Sequence, residues 1–393
     1  MNTIIFICKL ICYFYANPNP LFIMLLKEKL LYFSVLLILL NSCTEKFYPD
    51  TNEDVSTLVI DGKITNGQGP YEVRLFRTVS INIADTLLPE IGAVISIYDN
   101  DGNSDSFTET TPGLYHNISP DFKGKVGHSY WIEIQTLDGK KYESTPETIP
   151  PQIEIEKIYG EEITKIMPDG EKLKGAGFFV DAKSNTNQNI YLKWDYQESW
   201  EWQSPYFRPI TDNPSRICYP YNISNNISVF DGSQYDIKQF NHLATSFVNQ
   251  EEVKLNYAYF LNVSLYSISL ESYEFWESMQ KINQNNGGIY DNIPGNITGN
   301  ICACNSDDSV LGYFEASSVN SKNKIFSTAD FNMKFSDFSK GCENFQTLVP
   351  PDGENYIEIS SEVLDGIIVY TVRRGYCYDC NLIYSPLKPS FWP

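Results

Sequence analysis

From residue 57 to residue 149 the chain repeats one unit, a short run of alternating apolar and polar residues followed by a turn-forming pair. A period of two places successive side chains on opposite faces of an extended backbone. A helix, with about 3.6 residues per turn, cannot sort that pattern into one buried face. The segments 57–64 (TLVIDGKI) and 71–78 (YEVRLFRT) show it; in the second, Tyr71, Val73 and Leu75 share one face and Glu72, Arg74 and Phe76 the other. AVISIYDNDGNSDSF (93–107), GLYHN (113–117) and HSYWIEIQTLDGKKYES (128–144) continue it, with Asp101-Gly102 and Asp138-Gly139 where hairpins turn. About seven short strands in this span predict an immunoglobulin-like β-sandwich over 57–150. Pro150-Pro151 then removes two backbone donors in succession and marks a boundary.

The span 152–393 stays β-rich. FFVDAK (178–183), NIYLKWDYQESWEW (189–202), VKLNYAYFLNVSLYSIS (253–269), VLGYFEASSV (310–319) and GIIVYTVRR (366–374) read as strands. One segment keeps a helical period instead. Tyr273, Trp276, Met279 and Ile282 lie at helical spacing behind Ser269, a residue suited to cap the first turn, and Asn285-Asn286-Gly287-Gly288 stops it. Aromatic residues make up 14% of the chain and charged residues only 20%, a balance that suits half-buried pleated surfaces. The expected fold class is therefore mainly β: an N-terminal immunoglobulin-like sandwich, then a larger β-rich domain with one or two short helices.

Ahead of this lies a leader. Residues 24–43 read MLLKEKLLYFSVLLILLNSC, in which Lys27 and Lys29 precede an apolar run, 30–40, interrupted only by Ser34. The run is shorter than the roughly 20 residues a membrane-spanning helix needs, so it reads as the core of a secretory signal. Its end, Leu40-Asn41-Ser42-Cys43, is similar to a bacterial lipobox. In that chemistry the Cys43 thiol receives diacylglycerol, a peptidase cuts before it, and the new terminus is acylated; several acyl chains anchor durably where one binds reversibly. The expected organisation is 1–42 as signal peptide with Met24 as its working start, 43–56 as a lipidated polar tether, then the two β-rich spans.

The formal net charge is −20. The leader carries Lys9, Lys27 and Lys29 against Glu28, so the remainder is more acidic still. Such a surface repels phosphate backbones, which excludes nucleic acid as a partner, and it keeps an exposed protein soluble.

Of nine cysteines, Cys8 and Cys12 lie upstream and Cys43 takes the lipid. The others, Cys218, Cys302, Cys304, Cys342, Cys377 and Cys380, are even in number and read as disulfides in an exported chain. The expected connectivity ties Cys377 and Cys380 back to Cys342 or to the segment with Cys302 and Cys304. A metal held by Cys302-Ala-Cys304 with Cys377-Tyr-Asp-Cys380 is the competing reading. It is weakened by the single residue inside the first pair, where structural zinc sites use about two to four. Neither a metal nor a cofactor is expected.

Catalytic signatures are missing from the sequence. His116, His128 and His242 do not fall at the spacing of a helical zinc pair, and there is no G-x-S-x-G elbow, P-loop or G-x-G-x-x-G turn. Carboxylate neighbours such as Glu198 with Glu201, or Asp307 with Asp308, arise by chance in any acidic chain, although a glycan- or peptide-active hydrolase with paired carboxylates stays as an alternative. Asp99, Asp101, Asn103 and Asp105 place oxygens at alternate positions, as calcium loops do. Gly102 and Thr110 do not fit the EF-hand pattern, and a plain turn is expected. The densest aromatic stretch offers Trp194, Trp200, Trp202 and Tyr206 as ligand-binding candidates. The same spacing also fits one buried sheet face, which is the first reading.

Several segments in order point to one family: LVIDGKITNGQGPYEVRLFRT (58–78), GAVISIYDNDGNSDSFTETTPGLYH (92–116), SLESYEFWESM (269–279), IYDNIPGNITGNI (289–301), VLGYFEASSV (310–319) and CYDCNLIYSPLKPSFWP (377–393). In this succession the chain resembles the Bacteroidetes lipoproteins catalogued as domain of unknown function 4249. It departs from them where Ile383-Tyr384-Ser385-Pro386-Leu387 replaces a Gly-rich stretch. The resemblance implies no settled activity. It implies an outer-membrane lipoprotein facing the cell surface (or, alternatively, the periplasm) that accompanies a TonB-dependent transporter barrel. The expected function is non-catalytic binding of a ligand or partner at that membrane, with a structural or adhesive surface role as a further alternative to the hydrolase.

Overall fold

The computed structural model describes residues 56–78, 88–167, 169–186, 188–208, 211–235, 239–284, 297–336 and 341–392. Cys43, the apolar run before it, the tether up to residue 55 and the expected helix stop at 285–288 lie outside the described residues. What is described is mainly β, with a single α-helix, Leu270–Gln284.

The alternation read from 57 to 149 sorts side chains as expected. Leu58–Thr65 pairs antiparallel with Glu72–Arg77, Ile60 facing Leu75 across the ladder. Leu114–Asn117, Ser104–Thr111, Val94–Asp99, Ser129–Gln135 and Lys141–Ser144 then follow in order across the sheet. Inward residues from both ends of that order, Ile60, Val73 and Leu75 with Ile95, Ile97 and Ile132, belong to one buried cluster, so the strands form a sandwich-like double layer. Each such side chain contributes about 1.5–3 kcal/mol on burial. The Asp-Gly turns fall where expected, with φ of +86° at Gly102 and +83° at Gly139, a region L side chains rarely adopt. At the first, Asp99 Oδ1 accepts the backbone N–H groups of Asp101 at 3.0 Å and Asn103 at 2.8 Å, so the carboxylate closes a turn. No cluster arranged to hold a metal occurs among the described residues.

A second core forms beyond the prolines. Glu154–Ile166, Lys172–Lys183 and Gln239–Asn249 make a three-stranded sheet. Its Ile158, Phe178 and Val248 share a buried cluster with Leu192, Leu261 and Val263 from Tyr191–Trp200 and Tyr259–Ile268. Pro150-Pro151 therefore separates two cores, with Ile149 in the first and Ile153 in the second. It does not separate the sheet. The strand Val310–Phe326 pairs antiparallel with Tyr259–Ile268 and parallel with Leu58–Thr65, sending Phe314 and Ala316 into the first core and Phe326 into the second. At the crossing, Gly312 has φ +104°, and a Cβ there would lie 1.8 Å from the Ile60 carbonyl oxygen. Only glycine permits this approach.

The helix is capped as expected: Ser269 Oγ accepts the Ser272 N–H at 3.0 Å, and Glu271 and Lys281 lie at the ends that suit their charges. Beyond residue 341, a small sheet (Phe345–Thr347, Ile367–Arg374, Tyr356–Leu364) is fastened by two disulfides, Cys218–Cys380 and Cys342–Cys377. The tail returns to the body, Phe391 stacking on Phe260 at 5.4 Å between ring centres.

The cysteine expectation needs correction on two points. Cys302 and Cys304 are free, exposed thiols at the margin of the first sheet. Cys380 bonds to Cys218, which the expected connectivity left out. The physical reason is backbone placement: Cys380 N–H donates to Ser215 O at 2.9 Å, which sets the 215–218 segment beside it across a long sequence gap.

Candidate functional site

The sheet that joins the two cores has an opposite face, and there the alternation puts charge. Between the core residues of Leu58–Thr65 stand Asp61 and Lys63; between Phe314 and Ala316 stands Glu315. Register brings them together. Lys63 lies opposite Glu72 on one neighbouring strand and opposite Glu315 on the other, and Asp61 lies opposite Arg74. Two strands further, Lys193 lies opposite Tyr266 and Asp195 opposite Ser264.

These residues floor a cleft of about 770 Å³, within the size range of small-molecule sites. Its walls are held by named bonds. Trp276 of the helix donates its indole N–H to Glu315 Oε2 at 2.8 Å. The 224–228 segment is fixed at one end by Ser224, whose N–H donates to Tyr196 O at 2.9 Å, and further along by Gln280, which donates to Ile227 O at 2.7 Å. The 66–70 segment is fixed by Tyr71, whose hydroxyl lies 2.9 Å from both Thr65 O and Gly67 O.

Two networks organise the floor. In the first, Glu315, with 2% of its side chain exposed, forms an ion pair with Lys193 and also accepts from Trp276, Ser272 and Ser317. Burial alone would push the Glu315 carboxyl up, but Lys193 and Lys63 hold it below the ordinary glutamate range. Burial, reinforced by Lys63, pushes the Lys193 ammonium down. In the second network, Lys63 donates to the Tyr266 hydroxyl at 3.3 Å. Burial pushes that hydroxyl up to about 12, and the negative charge of Asp195 nearby adds to the rise. The ammonium groups also sit over rings: Lys63 lies 4.5 Å from the Tyr266 centroid, and Lys193 lies 4.2 Å from the Trp276 ring. Asp61 is different. It is exposed to the cleft yet surrounded by protein, and burial pushes its carboxyl up despite Lys193, Arg74 and Lys63 nearby.

Of the aromatic candidates, Trp194 lines this cleft, its indole N–H donating to Ala244 O at 3.0 Å. The others gather elsewhere. Trp200 packs against the second core with Lys254 4.9 Å from its ring centroid. Trp202 is buried with the Cys218–Cys380 disulfide. Tyr206 carries the Arg373 guanidinium 3.7 Å from its ring centroid. The carboxylate neighbours named from sequence are also apart from the cleft. Glu198 is buried, accepting from Tyr259 at 2.6 Å and Lys254 at 3.0 Å, and Asp308 pairs with Lys140 at 2.6 Å on the surface.

Reading the sequence for motifs missed Asp61, Lys63, Lys193, Tyr266, Trp276 and Glu315. A usable signal existed in three of them, since Lys63, Lys193 and Glu315 are each a charge set between uncharged, mostly apolar neighbours within a strand. No helix among the described residues is long and apolar enough to cross a membrane.

No curated protein matches the chain. A protein-family model described as Domain of unknown function (DUF4249) matches residues 44–323. The matched span contains the first core, the second core except Phe326, the joining strand up to residue 323 and every residue of the cleft floor, and it ends before the disulfide-fastened C-terminal sheet. On that match, the chain belongs to the DUF4249 family.

Proposed function

We propose that this protein is an exported, lipid-anchored outer-membrane protein that faces the cell surface, binds a ligand in the cleft on the outer face of the sheet joining its two cores without transforming it, and serves a TonB-dependent transporter. The observation that carries the binding half is the cleft floor: two lysines, Arg74 and four carboxylates held in place by rings, ion pairs and strand register, with Asp61 left open to a ligand. Preorganised polar groups on a rigid sheet lose little freedom when they bind. The address rests on the leader and Cys43. An exposed hairpin supports a partner contact: Tyr356–Leu364 and Ile367–Arg374 leave Val363 68% and Ile367 56% exposed, and clustered apolar exposure of this kind marks interaction surfaces.

Ligand binding is tested by the fluorescence of Trp194 and Trp276, both in the cleft. A saturable change with some member of a small-molecule panel, lost in Lys63→Met, is the expected result; a flat response across the panel refutes it. The address is tested by mass spectrometry of the mature terminus. Acylated Cys43 is expected, and an unmodified or uncleaved terminus refutes it.

A second reading is favoured by Asp61, since a carboxyl whose pKa burial raises, near another carboxylate, is the arrangement glycoside hydrolysis uses. It ranks below binding because two of the other floor carboxylates are engaged. Glu315 is bonded to Lys193, Trp276, Ser272 and Ser317, and Glu72 pairs with Arg74. Product release from an oligosaccharide or peptide, abolished by Asp61→Asn, would reverse the ranking.

A further inference from the structure

We propose that the ligand of this cleft is a neutral polyhydroxylated molecule, a short oligosaccharide, recognised by the interleaved carboxylates and ammonium groups of the floor. This rests on the ligand-binding reading above and narrows it to one chemical class.

Three features of the floor select that class. First, the sign of charge alternates in two directions. Along one strand Asp61 precedes Lys63, and along another Lys193 precedes Asp195; across the ladder Arg74 faces Asp61, and both Glu72 and Glu315 face Lys63. No positive or negative pole exists. A ligand of one net sign gains from some of these groups and is repelled by the others, and a zwitterion with separated ends finds no separated counterparts. A hydroxyl is both donor and acceptor, so one that donates to a carboxylate and accepts from the neighbouring ammonium is satisfied twice.

Second, the rings do not offer an apolar platform. The Tyr266 face has Lys63 4.5 Å and Lys193 5.4 Å from its centroid, and Lys193 also lies over Trp276. The aromatics position cations, and an aliphatic ligand would have to displace them. Third, the rim adds neutral groups with both hydrogen-bonding roles, Gln68, Asn225, Asn226 and Ser228, while Asp61 on the floor is held by no hydrogen bond from the described residues. A dense array of this type matches a polyol hydroxyl by hydroxyl.

The test uses the full chain and isothermal titration with three probes: a set of neutral trisaccharides built from glucose, xylose and N-acetylglucosamine; trialanine; and laurate. The expected result is saturable binding of at least one trisaccharide, weakened tenfold or more by Asp61→Asn and by the rim change Asn226→Ala. Two variants on different elements guard against a misfolded one, and far-UV circular dichroism checks each. Binding of trialanine or laurate that depends on Asp61, with no trisaccharide bound, overturns the inference while the ligand-binding reading stands. Trisaccharide binding that neither variant weakens also overturns it. Failure of every probe to bind counts against both readings.

Discussion

Glu315→Ala is the change that examines the joining sheet most directly. The substitution removes a carboxylate that is 2% exposed and leaves Lys193, 14% exposed, without its ion-pair partner, while Trp276, Ser272 and Ser317 lose their acceptor. Breaking a buried ion pair from one side costs about 3–5 kcal/mol. The stranded neutral donors would add up to about 1 kcal/mol each. Burial and Lys63 also drive Lys193 towards its neutral amine, which caps the charge penalty. The expected loss is therefore about 4 kcal/mol, a large share of the roughly 5–15 kcal/mol that holds a native fold. Replacing both partners, as Lys193→Met with Glu315→Leu, should recover about half of that loss, because no charge is left stranded. The assay is urea unfolding followed by tryptophan fluorescence and far-UV circular dichroism. The sign of the pH dependence follows from the lowered Glu315 pKa. Its stabilisation is complete above the ordinary glutamate value of 4.5 and drains away as pH falls through the depressed one, so the gap between native and Glu315→Ala narrows only in acid. A loss under about 1 kcal/mol, a double variant no better than the single one, or a gap that closes at neutral pH would refute the reasoning.

Other outcomes follow from the same physics. Removing Cys218–Cys380, which spans 162 residues, should destabilise by about 5 kcal/mol on loop entropy, against about 4 for Cys342–Cys377, which spans 35; unfolding of the matched serine variants checks the order. Alkylation of the native chain should label Cys302 and Cys304 and leave the four bonded cysteines unlabelled, as read by peptide mapping. Gly312→Ala should cost more than about 3 kcal/mol or abolish folding, because its Cβ would lie 1.8 Å from Ile60 O. Gly139→Ala, with the same sign of φ but open space around it, should cost only about 1–2 kcal/mol. Equal effects in the two glycine variants would show that the joint tolerates a side chain.

The N-terminal strands were legible because one of their faces is buried and the other wet, so alternation appears directly in the residues, as in Tyr71, Val73 and Leu75. The single helix was legible because its cap and its period agree. Strands Glu154–Ile166, Gln239–Asn249 and Tyr356–Leu364 were not. Their burial is sparse, and Glu and Lys occupy most outward positions of the first, so the pattern resembles a loop.

What the sequence determined by itself is local: period, turn chemistry and capping. The tertiary structure decided everything that depends on register between distant segments. Lys63, Lys193 and Glu315 are separated by long stretches of chain and meet only because Val310–Phe326 pairs with strands from both cores. Cys218 finds Cys380 for the same reason, through backbone bonds that bring the 215–218 segment to the tail. Side-chain identity fixes which face of a strand is buried. Which strands lie side by side is settled by packing of the whole chain, and that is where the cleft and its chemistry arise.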